Sequence, residues 1–295
     1  MIHKSAIVHK SAKLDTTVNV GPFAIIGPEV EINSGSNIGS HAVLEGPTII
    51  GKNNKVFSFA SIGGDPQDKK YQGEKTFLEI GDDNIFREGV TINRGTIQEN
   101  SKTLIGSRNL FMAYVHVAHD CVVEDDVVLV NNSSIAGCVK LETGVILGGF
   151  SLVHQFCNIG AYSFSAMGSA VSKDIPAFVR VSGNTAKARG LNVTGISRLN
   201  INKEGTHALK EAYKIIYLRK NTLENSDPEL AADIVDKGIV LTGGGSLLGE
   251  LDQVIRDATG LPVSIADDPL SCVVQGTGKC AENLKELRSV LTSSY

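Results

Sequence analysis

A bulky apolar residue recurs at every sixth position through most of residues 2–171, and this period restricts the possible folds more than any other feature of the sequence. The series comprises Ile2, Val8, Leu14, Val20, Ile26, Ile32, Ile38, Leu44, Ile50, Val56 and Ile62, then Ile80, Phe86 and Ile92, then Ile105, Phe111, Val117, Val123, Leu129, Ile135, Leu141, Leu147, Val153, Ile159 and, after Ser165, Val171. An amphipathic helix would drift out of phase with a strict period of six, and a hairpin strand would show a period of two.

Hexads repeated this often predict an all-β parallel β-helix of short strands, with one inward apolar side chain for each strand. Three hexads make one coil, so residues 18 apart stack on the same face at about 4.8 Å per coil. The inner side chains then form continuous columns, and their burial holds the solenoid together. The period breaks at residues 64–79 and again around 95–104.

Charge and composition exclude several function classes. The net charge of −4 is mild and the basic residues are scattered, so we expect no nucleic-acid partner. We also expect no membrane span, no signal peptide and a cytoplasmic location, because the apolar runs are short. An odd number of cysteines without a CxxC pair predicts reduced thiols; these are Cys121, Cys138, Cys157, Cys272 and Cys280.

The stacking rule brings polar residues of several coils to one edge of the solenoid. Val117, Ile135 and Val153 lie 18 apart and should form one column. The residues that flank this column are His116, His119, Gly137, Cys138, His154 and Gln155. The loop at 63–74 carries Asp68, Lys69, Lys70 and Tyr71, and it could fold over such an edge as a substrate lid.

Three interpretations of the segment HVAHD compete on spacing alone. His119 with Asp120 suits a general base whose tautomer is fixed by a carboxylate. His116, His119 and His154 could instead form a three-histidine zinc shell open to water, as in hydrolases of the γ-carbonic-anhydrase kind on such a scaffold. The third interpretation is that these are surface histidines on an ordinary strand.

Several motifs in the first 225 residues or so make the chain resemble a known family. They are GPFAIIGP, FASIGGDPQDKKYQGE, VTINRGT, HVAHDC, NNSSIAG, VHQFCNIGA and LKEAYKIIY. With them the chain resembles the UDP-N-acetylglucosamine acyltransferases of lipid A biosynthesis, which belong to the hexapeptide-repeat acyltransferases. The resemblance implies a left-handed β-helix, a handedness opposite to the general rule for parallel crossovers.

The resemblance also implies roles for individual residues. His119 would remove the proton from the glucosamine 3-hydroxyl, Asp120 would orient and stabilise the imidazolium, and the Gly137 N–H would stabilise the oxyanion. The acyl donor would be a 3-hydroxyacyl carrier protein, no metal or cofactor would be needed, and the chain would form a homotrimer. The implied substrate-binding residues are Gln67, Asp68, Lys70, Tyr71, His116, His154, Gln155, Met167, Asn192 and Arg198.

The chain departs from the family at a few positions. Cys138, Asn93 and Thr185 stand where histidines occur in some members, and Leu199 follows Arg198 where a second arginine can occur. Met167 occupies the position of the acyl-chain ruler. Its bulky thioether should shorten the groove and favour chains of about ten to twelve carbons over fourteen. The alternative is that Met167 only packs in the core.

The match stops near residues 221–228, and the hexad period is absent beyond it. There GIVLTGGG reads as a strand and a glycine-rich turn, SLLGELDQVIRDATG as a helix closed by Gly260, and LPVSIADDP as a second strand. This part resembles the C-terminal region of the bacterial actin-like rod-shape protein. Without the upstream phosphate-binding parts, Gly243, Gly244 and Gly245 are predicted to be turn glycines rather than an ATP site.

We therefore predict a fusion with three parts: a β-helix acyltransferase domain at 1–190, the start of a helical domain at 191–226, and an actin-like fragment at 227–295. A zinc hydrolase on the same scaffold is the rival enzyme. A scaffold or filament-associated protein, directed by the actin-like tail, is the rival without catalysis.

Overall fold

The computed structural model describes residues 1–199, 201–218, 238–243, 246, 249–259, 261–272 and 275. The first nine strands are β1 (Ile7–Val8), β2 (Lys13–Leu14), β3 (Asn19–Val20), β4 (Ile25–Ile26), β5 (Val30–Ile32), β6 (Asn37–Ile38), β7 (Val43–Leu44), β8 (Thr48–Ile50) and β9 (Lys55–Val56). The next nine are β10 (Ser61–Gly64), β11 (Phe77–Ile80), β12 (Ile85–Phe86), β13 (Thr91–Asn93), β14 (Lys102–Ile105), β15 (Leu110–Phe111), β16 (His116–Val117), β17 (Val122–Val123) and β18 (Val128–Leu129). The solenoid ends with β19 (Ser134–Ile135), β20 (Lys140–Leu141), β21 (Ile146–Leu147), β22 (Leu152–Val153), β23 (Asn158–Ile159), β24 (Phe164–Ser165), β25 (Ala170–Val171), β26 (Val179–Ser182) and β27 (Lys187–Leu191).

These strands form three sheets that are the three faces of a left-handed parallel β-helix, as predicted. One sheet has the order β1-β4-β7-β10-β13-β16-β19-β22-β25, so every third strand lies on the same face. Val117 pairs in parallel with Ile135, and Ile135 with Val153, which confirms the column that carries the candidate site. Only the last strand, β27, runs antiparallel to its neighbour, β26.

The core consists of the predicted columns of apolar side chains. Ile26, Leu44, Ile62 and Ile135 are all at most 1% exposed, because each points inward from its strand. Ser165, the exception in the series, is also buried, and its hydroxyl hydrogen-bonds to Ser151 Oγ at 2.8 Å. A polar residue is tolerated there because a second hydroxyl satisfies it.

Two segments leave the solenoid, and they fall where the period breaks. The first lies between β10 and β11, and there Ile62 pairs with Ile92 instead of a residue 18 positions on. The second lies between β13 and β14, and Ile92 pairs with Val117 across it. Both segments therefore leave from the face that contains β10, β13 and β16.

A compact unit comprises residues 1–201, including the helix α1 (Val193–Arg198). A second unit begins at Asn202. Its described elements are α2 (Lys203–Tyr213), a π-helical turn (Lys214–Leu218), β28 (Ile239–Leu241), α3 (Leu251–Thr259) and β29 (Val263–Ile265). The finer division at 190 and 226 stays a prediction.

The strand–helix–strand order predicted for the tail is found in the second unit. β28 and β29 pair in parallel, Ile239 with Val263 and Leu241 with Ile265. The helix begins at Leu251 rather than at Ser246. Gly243 has a φ of +80°, as a turn glycine would, whereas Gly244, Gly245 and Gly260 lie outside the described residues.

Two further expectations concerned the cysteines, predicted to be reduced, and the absence of a membrane span. Cys121, Cys138, Cys157 and Cys272 are free, and Cys280 lies outside the described residues. Among the helices that the structure describes, none has both the length and the apolar character needed to cross a bilayer.

Candidate active site

His119 and Asp120 form a hydrogen-bonded pair at one edge of the solenoid. They follow β16, where the chain turns from one face to the next, and Asp120 takes the left-handed conformation with a φ of 59°. His119 Nδ1 lies 2.8 Å from Asp120 Oδ2. The His119 side chain is 18% exposed and that of Asp120 only 1%, so the imidazole is accessible and its carboxylate partner is not. This is the arrangement of a general base with an orienting carboxylate.

The Asp120 carboxylate is held by Thr96, a residue of the second segment that leaves the solenoid. The Thr96 N–H donates to Oδ1 at 2.9 Å, and the Thr96 hydroxyl donates to Oδ2 at 2.7 Å. The Asp120 N–H donates in turn to Thr103 Oγ1 at 2.8 Å. Sequence reasoning missed both threonines, because Thr96 lies in a break of the period and no phase assigns it to an edge.

Gly137 lies directly against the imidazole of His119, one coil further on. A Cβ atom at this position would lie 2.6 Å from His119 Cε1 and 2.7 Å from Nε2, closer than real Cβ atoms come to other heavy atoms. The missing side chain therefore leaves the room that the ring occupies. Within the described chain, no acceptor takes the Gly137 N–H, which leaves this donor available to a ligand.

The other two histidines of the predicted site are in different environments. His116 Nδ1 hydrogen-bonds to Thr91 Oγ1 at 2.7 Å, and burial together with the charge of His119 lowers the pKa of His116. His154 is exposed, and its Nδ1 lies 3.2 Å from the carbonyl oxygen of Gln155, which is also exposed. Neutral His116 is thus favoured near pH 7.

Cys138 completes a small group of potential metal ligands with His119 and Asp120. Their ligand atoms lie within 4.8 Å of one another, and in the described part of the chain this is the only such group; the three-histidine shell is not assembled within one chain. Both Asp120 oxygens already accept hydrogen bonds. Burial raises the pKa of the Cys138 thiol to about 11, and nearby carboxylates, Asp68 among them, add to this. A protonated thiol is a poor metal ligand.

The predicted lid at 63–74 is anchored to the solenoid by Arg94. Its guanidinium donates to the Gly63 carbonyl oxygen and the Asp65 carboxylate, and Nη2 lies 3.2 Å from the Tyr71 hydroxyl. Tyr71, which the sequence placed among substrate-binding residues, thus packs within the loop, and its hydroxyl also donates to Glu74 O. Gln67 and Lys70 are exposed, and Asp68 Oδ1 accepts the Lys70 N–H at 2.9 Å.

We expect Asp65→Asn to destabilise the protein by about 1–3 kcal/mol, because it removes the counter-ion of a buried guanidinium. The Arg94 side chain is 7% exposed, although Asp65 itself is 69% exposed. Asp126→Asn is the matched control, since Asp126 pairs with Arg108, which is 52% exposed and also contacts Asp125. Urea unfolding midpoints of the two variants measure the loss of stability relative to the parent. Equal losses would show that burial of Arg94 has no bearing on its pairing with Asp65.

The remaining predicted residues lie near the end of the solenoid. Asn192 is buried and caps α1: its Oδ1 accepts the Gly195 N–H at 3.1 Å, and its Nδ2 donates to Tyr162 O at 2.8 Å. Asn192 and Arg198 line a groove of about 550 Å³ together with Arg180 and Arg189, two arginines that sequence reasoning missed. Met167 is 78% exposed, which excludes a place in the core of its own chain.

The stacked hexads and the histidine–aspartate pair at their edge define a hexapeptide-repeat protein of the left-handed β-helix class. The acyl-[acyl-carrier-protein]–UDP-N-acetylglucosamine O-acyltransferase of Stutzerimonas stutzeri is 52% identical over 231 residues, which is 78% of this chain and 90% of that protein. Its counterpart in Herminiimonas arsenicoxydans is 52% identical over 79% of this chain and 89% of that one. This chain belongs to the family of UDP-N-acetylglucosamine acyltransferases.

Solved structures agree with this assignment. LpxA from Acinetobacter baumannii superposes with a TM-score of 0.74 and 44% identity, over 80% of this chain and 91% of that one. UDP-N-acetylglucosamine O-acyltransferase from Moraxella catarrhalis gives a TM-score of 0.75 and 41% identity, over 89% and 98% of the two chains.

A second family matches the later part of the chain. The sequence model described as MreB/Mbl protein matches residues 165–289, which confirms the resemblance of the tail to the bacterial actin-like protein. The match begins inside the solenoid, where Ser165 still pairs with Leu147 and Val181. The strands β25 and β26, which lie within the matched range, therefore belong to the sheets of the β-helix.

Proposed function

We propose that this protein transfers a 3-hydroxyacyl chain from acyl carrier protein to the 3-hydroxyl of UDP-N-acetylglucosamine, the first step of lipid A biosynthesis. The observation that carries the proposal is the His119–Asp120 pair, with Nδ1 engaged by the carboxylate and Nε2 facing the gap left by Gly137. Membership of a family whose curated relatives bear this activity in their names supports the substrates.

The residues suggest a complete sequence of bond changes. His119 Nε2 accepts the proton of the sugar hydroxyl while the oxygen forms a bond to the thioester carbonyl carbon. The negative charge that develops on the carbonyl oxygen is stabilised by the Gly137 N–H. The C–S bond then breaks, and the imidazolium returns its proton to the departing thiolate. The products are the acylated sugar nucleotide and the free carrier thiol, with no cofactor consumed.

The test is incubation of the purified full chain with 3-hydroxydecanoyl carrier protein and UDP-N-acetylglucosamine, with both products followed by mass spectrometry. We expect one acylated sugar nucleotide for each thiol released. Thiol release without acylated sugar, together with zinc in the purified protein, would favour the hydrolase instead. Absence of any reaction at every chain length would favour the non-catalytic scaffold directed by the tail.

We expect Met167→Gly to shift the preferred donor toward longer chains, because removal of an exposed thioether lengthens the groove that Met167 is proposed to close. The measurement is kcat/KM for 3-hydroxyacyl donors of about 10, 12 and 14 carbons. Met167→Leu is the control, since it keeps the volume of the side chain and should keep the preference. An unchanged preference in Met167→Gly would remove Met167 as the ruler.

We further propose substrate-binding roles for Gln67, Asp68, Lys70, Tyr71, His116, His154, Gln155, Asn192 and Arg198. Arg198 shares its groove with Arg180 and Arg189, and guanidinium groups suit the diphosphate of the sugar nucleotide. Assembly as a homotrimer and a cytoplasmic location complete the proposal. Light scattering of the full chain measures the first and fractionation of cells the second.

A further inference from the structure

Thr96 contacts the Asp120 carboxylate with both of its hydrogen-bond donors. Its N–H donates to one oxygen at 2.9 Å and its hydroxyl to the other at 2.7 Å. The Asp120 side chain is 1% exposed, and within the described chain its only ion-pair partner is His119. The two donors of Thr96 therefore compensate part of the cost of burying this charge.

One carboxylate oxygen is shared between Thr96 and the histidine. Asp120 Oδ2 accepts from the Thr96 hydroxyl and lies 2.8 Å from His119 Nδ1. The terminal torsion of an aspartate is broad, so a carboxylate without fixed partners can rotate away from the imidazole. The Thr96 hydroxyl opposes that rotation, and it does so from a segment outside the repeat.

We propose that Thr96 is a positioning residue for the base: it fixes the Asp120 carboxylate so that the His119 proton stays on Nδ1 and Nε2 remains an acceptor. Thr96 does not touch the reacting atoms in this scheme. The inference rests on the proposed function, in which Nε2 takes the proton of the sugar hydroxyl. The neutral imidazole has two tautomers, and the partner of one nitrogen decides which nitrogen carries the proton.

The chain supplies a matched control in another buried threonine. Thr76 is also fully buried, and its hydroxyl has no hydrogen-bond partner among the residues that the structure describes. Replacement by valine removes a hydroxyl of equal burial at both positions. Thr96→Ser keeps the hydroxyl and the N–H while removing only a methyl group.

We expect Thr96→Val to lower kcat by about 10- to 100-fold with little change in KM, the range seen for the hydrogen-bond partners that orient metal-ligating side chains. Thr96→Ser should stay within about 3-fold of the parent and Thr76→Val within about 2-fold. If Thr96→Val does not fold, Thr96→Ala removes the same donor. A kcat of the Thr96 variant equal to that of Thr76→Val would overturn the proposal.

A double-mutant cycle separates positioning from a general loss of structure. In an Asp120→Ala background we expect Thr96→Val to cost less than about 2-fold, because the carboxylate through which it acts is gone. The full single-variant loss in that background would overturn the proposal. Nitrogen-15 NMR of the imidazole gives a readout independent of turnover: the Nδ1–H signal of His119 should weaken in Thr96→Val. If the parent is inactive but the Nδ1–H signal of His119 weakens in Thr96→Val, only the proposed function is contradicted. If the parent is active and this signal does not weaken in Thr96→Val, the role of Thr96 is contradicted.

Discussion

We expect His119→Ala to lower kcat for acyl transfer by about 10²- to 10⁴-fold, the contribution usual for a positioned general base. His119 Nδ1 is engaged by Asp120 at 2.8 Å, so the acceptor that remains is Nε2, on the ring edge that faces Gly137. Alanine removes this acceptor and also removes the imidazole that pairs with the buried carboxylate. The measurement is steady-state kcat and KM with 3-hydroxydecanoyl carrier protein and UDP-N-acetylglucosamine.

His9→Ala is the matched control for that variant. His9 is an exposed histidine of the same solenoid whose Nδ1 hydrogen-bonds to Ser11 Oγ at 2.8 Å. We expect it to keep the parent's kcat, since an exposed contact of this kind contributes little. If His119→Ala kept more than half of the parent's kcat, the base would have to be another residue and the proposed mechanism would be wrong.

The solenoid could be predicted from sequence because its inward apolar residues recur at every sixth position. This series alone assigns Val117, Ile135 and Val153 to one column. Ser165, the one polar residue in the series, does not disrupt the fold, because its buried hydroxyl hydrogen-bonds to Ser151. The handedness does not follow from the period, and the resemblance to a known family was needed for it.

The candidate site was predictable only in part. His119 and Asp120 are neighbours in sequence, and their pairing follows from local geometry. Thr96 and Arg94 could not be assigned, because they lie where the chain leaves the repeat and no phase fixes their position. The cap at Asn192 does carry a signal in the sequence, since asparagine before a helix is a common N-cap.

Gly137 links the fold to the chemistry, because its position is one that the repeat elsewhere fills with a side chain. Ala113 stands at the equivalent place after the inward residue of its own strand, Phe111. The backbone of this turn therefore accepts a Cβ in general. What forbids one at Gly137 is the His119 ring, and the ring in turn is held by Asp120.

We expect Gly137→Ala to lower kcat by about 10²-fold, because a displacement of a catalytic group by about 1 Å commonly costs that much. The new methyl group would lie 2.6 Å from His119 Cε1 and 2.7 Å from Nε2, so either the imidazole or the turn must move. Gly149→Ala is the matched control: it occupies the equivalent hexad position, and its Cβ would meet Asn131 O at 3.3 Å. Thermal unfolding and kcat are measured for both variants. A normal kcat in a folded Gly137→Ala would show that His119 need not hold its observed position for the reaction, and would place the oxyanion donor elsewhere as well.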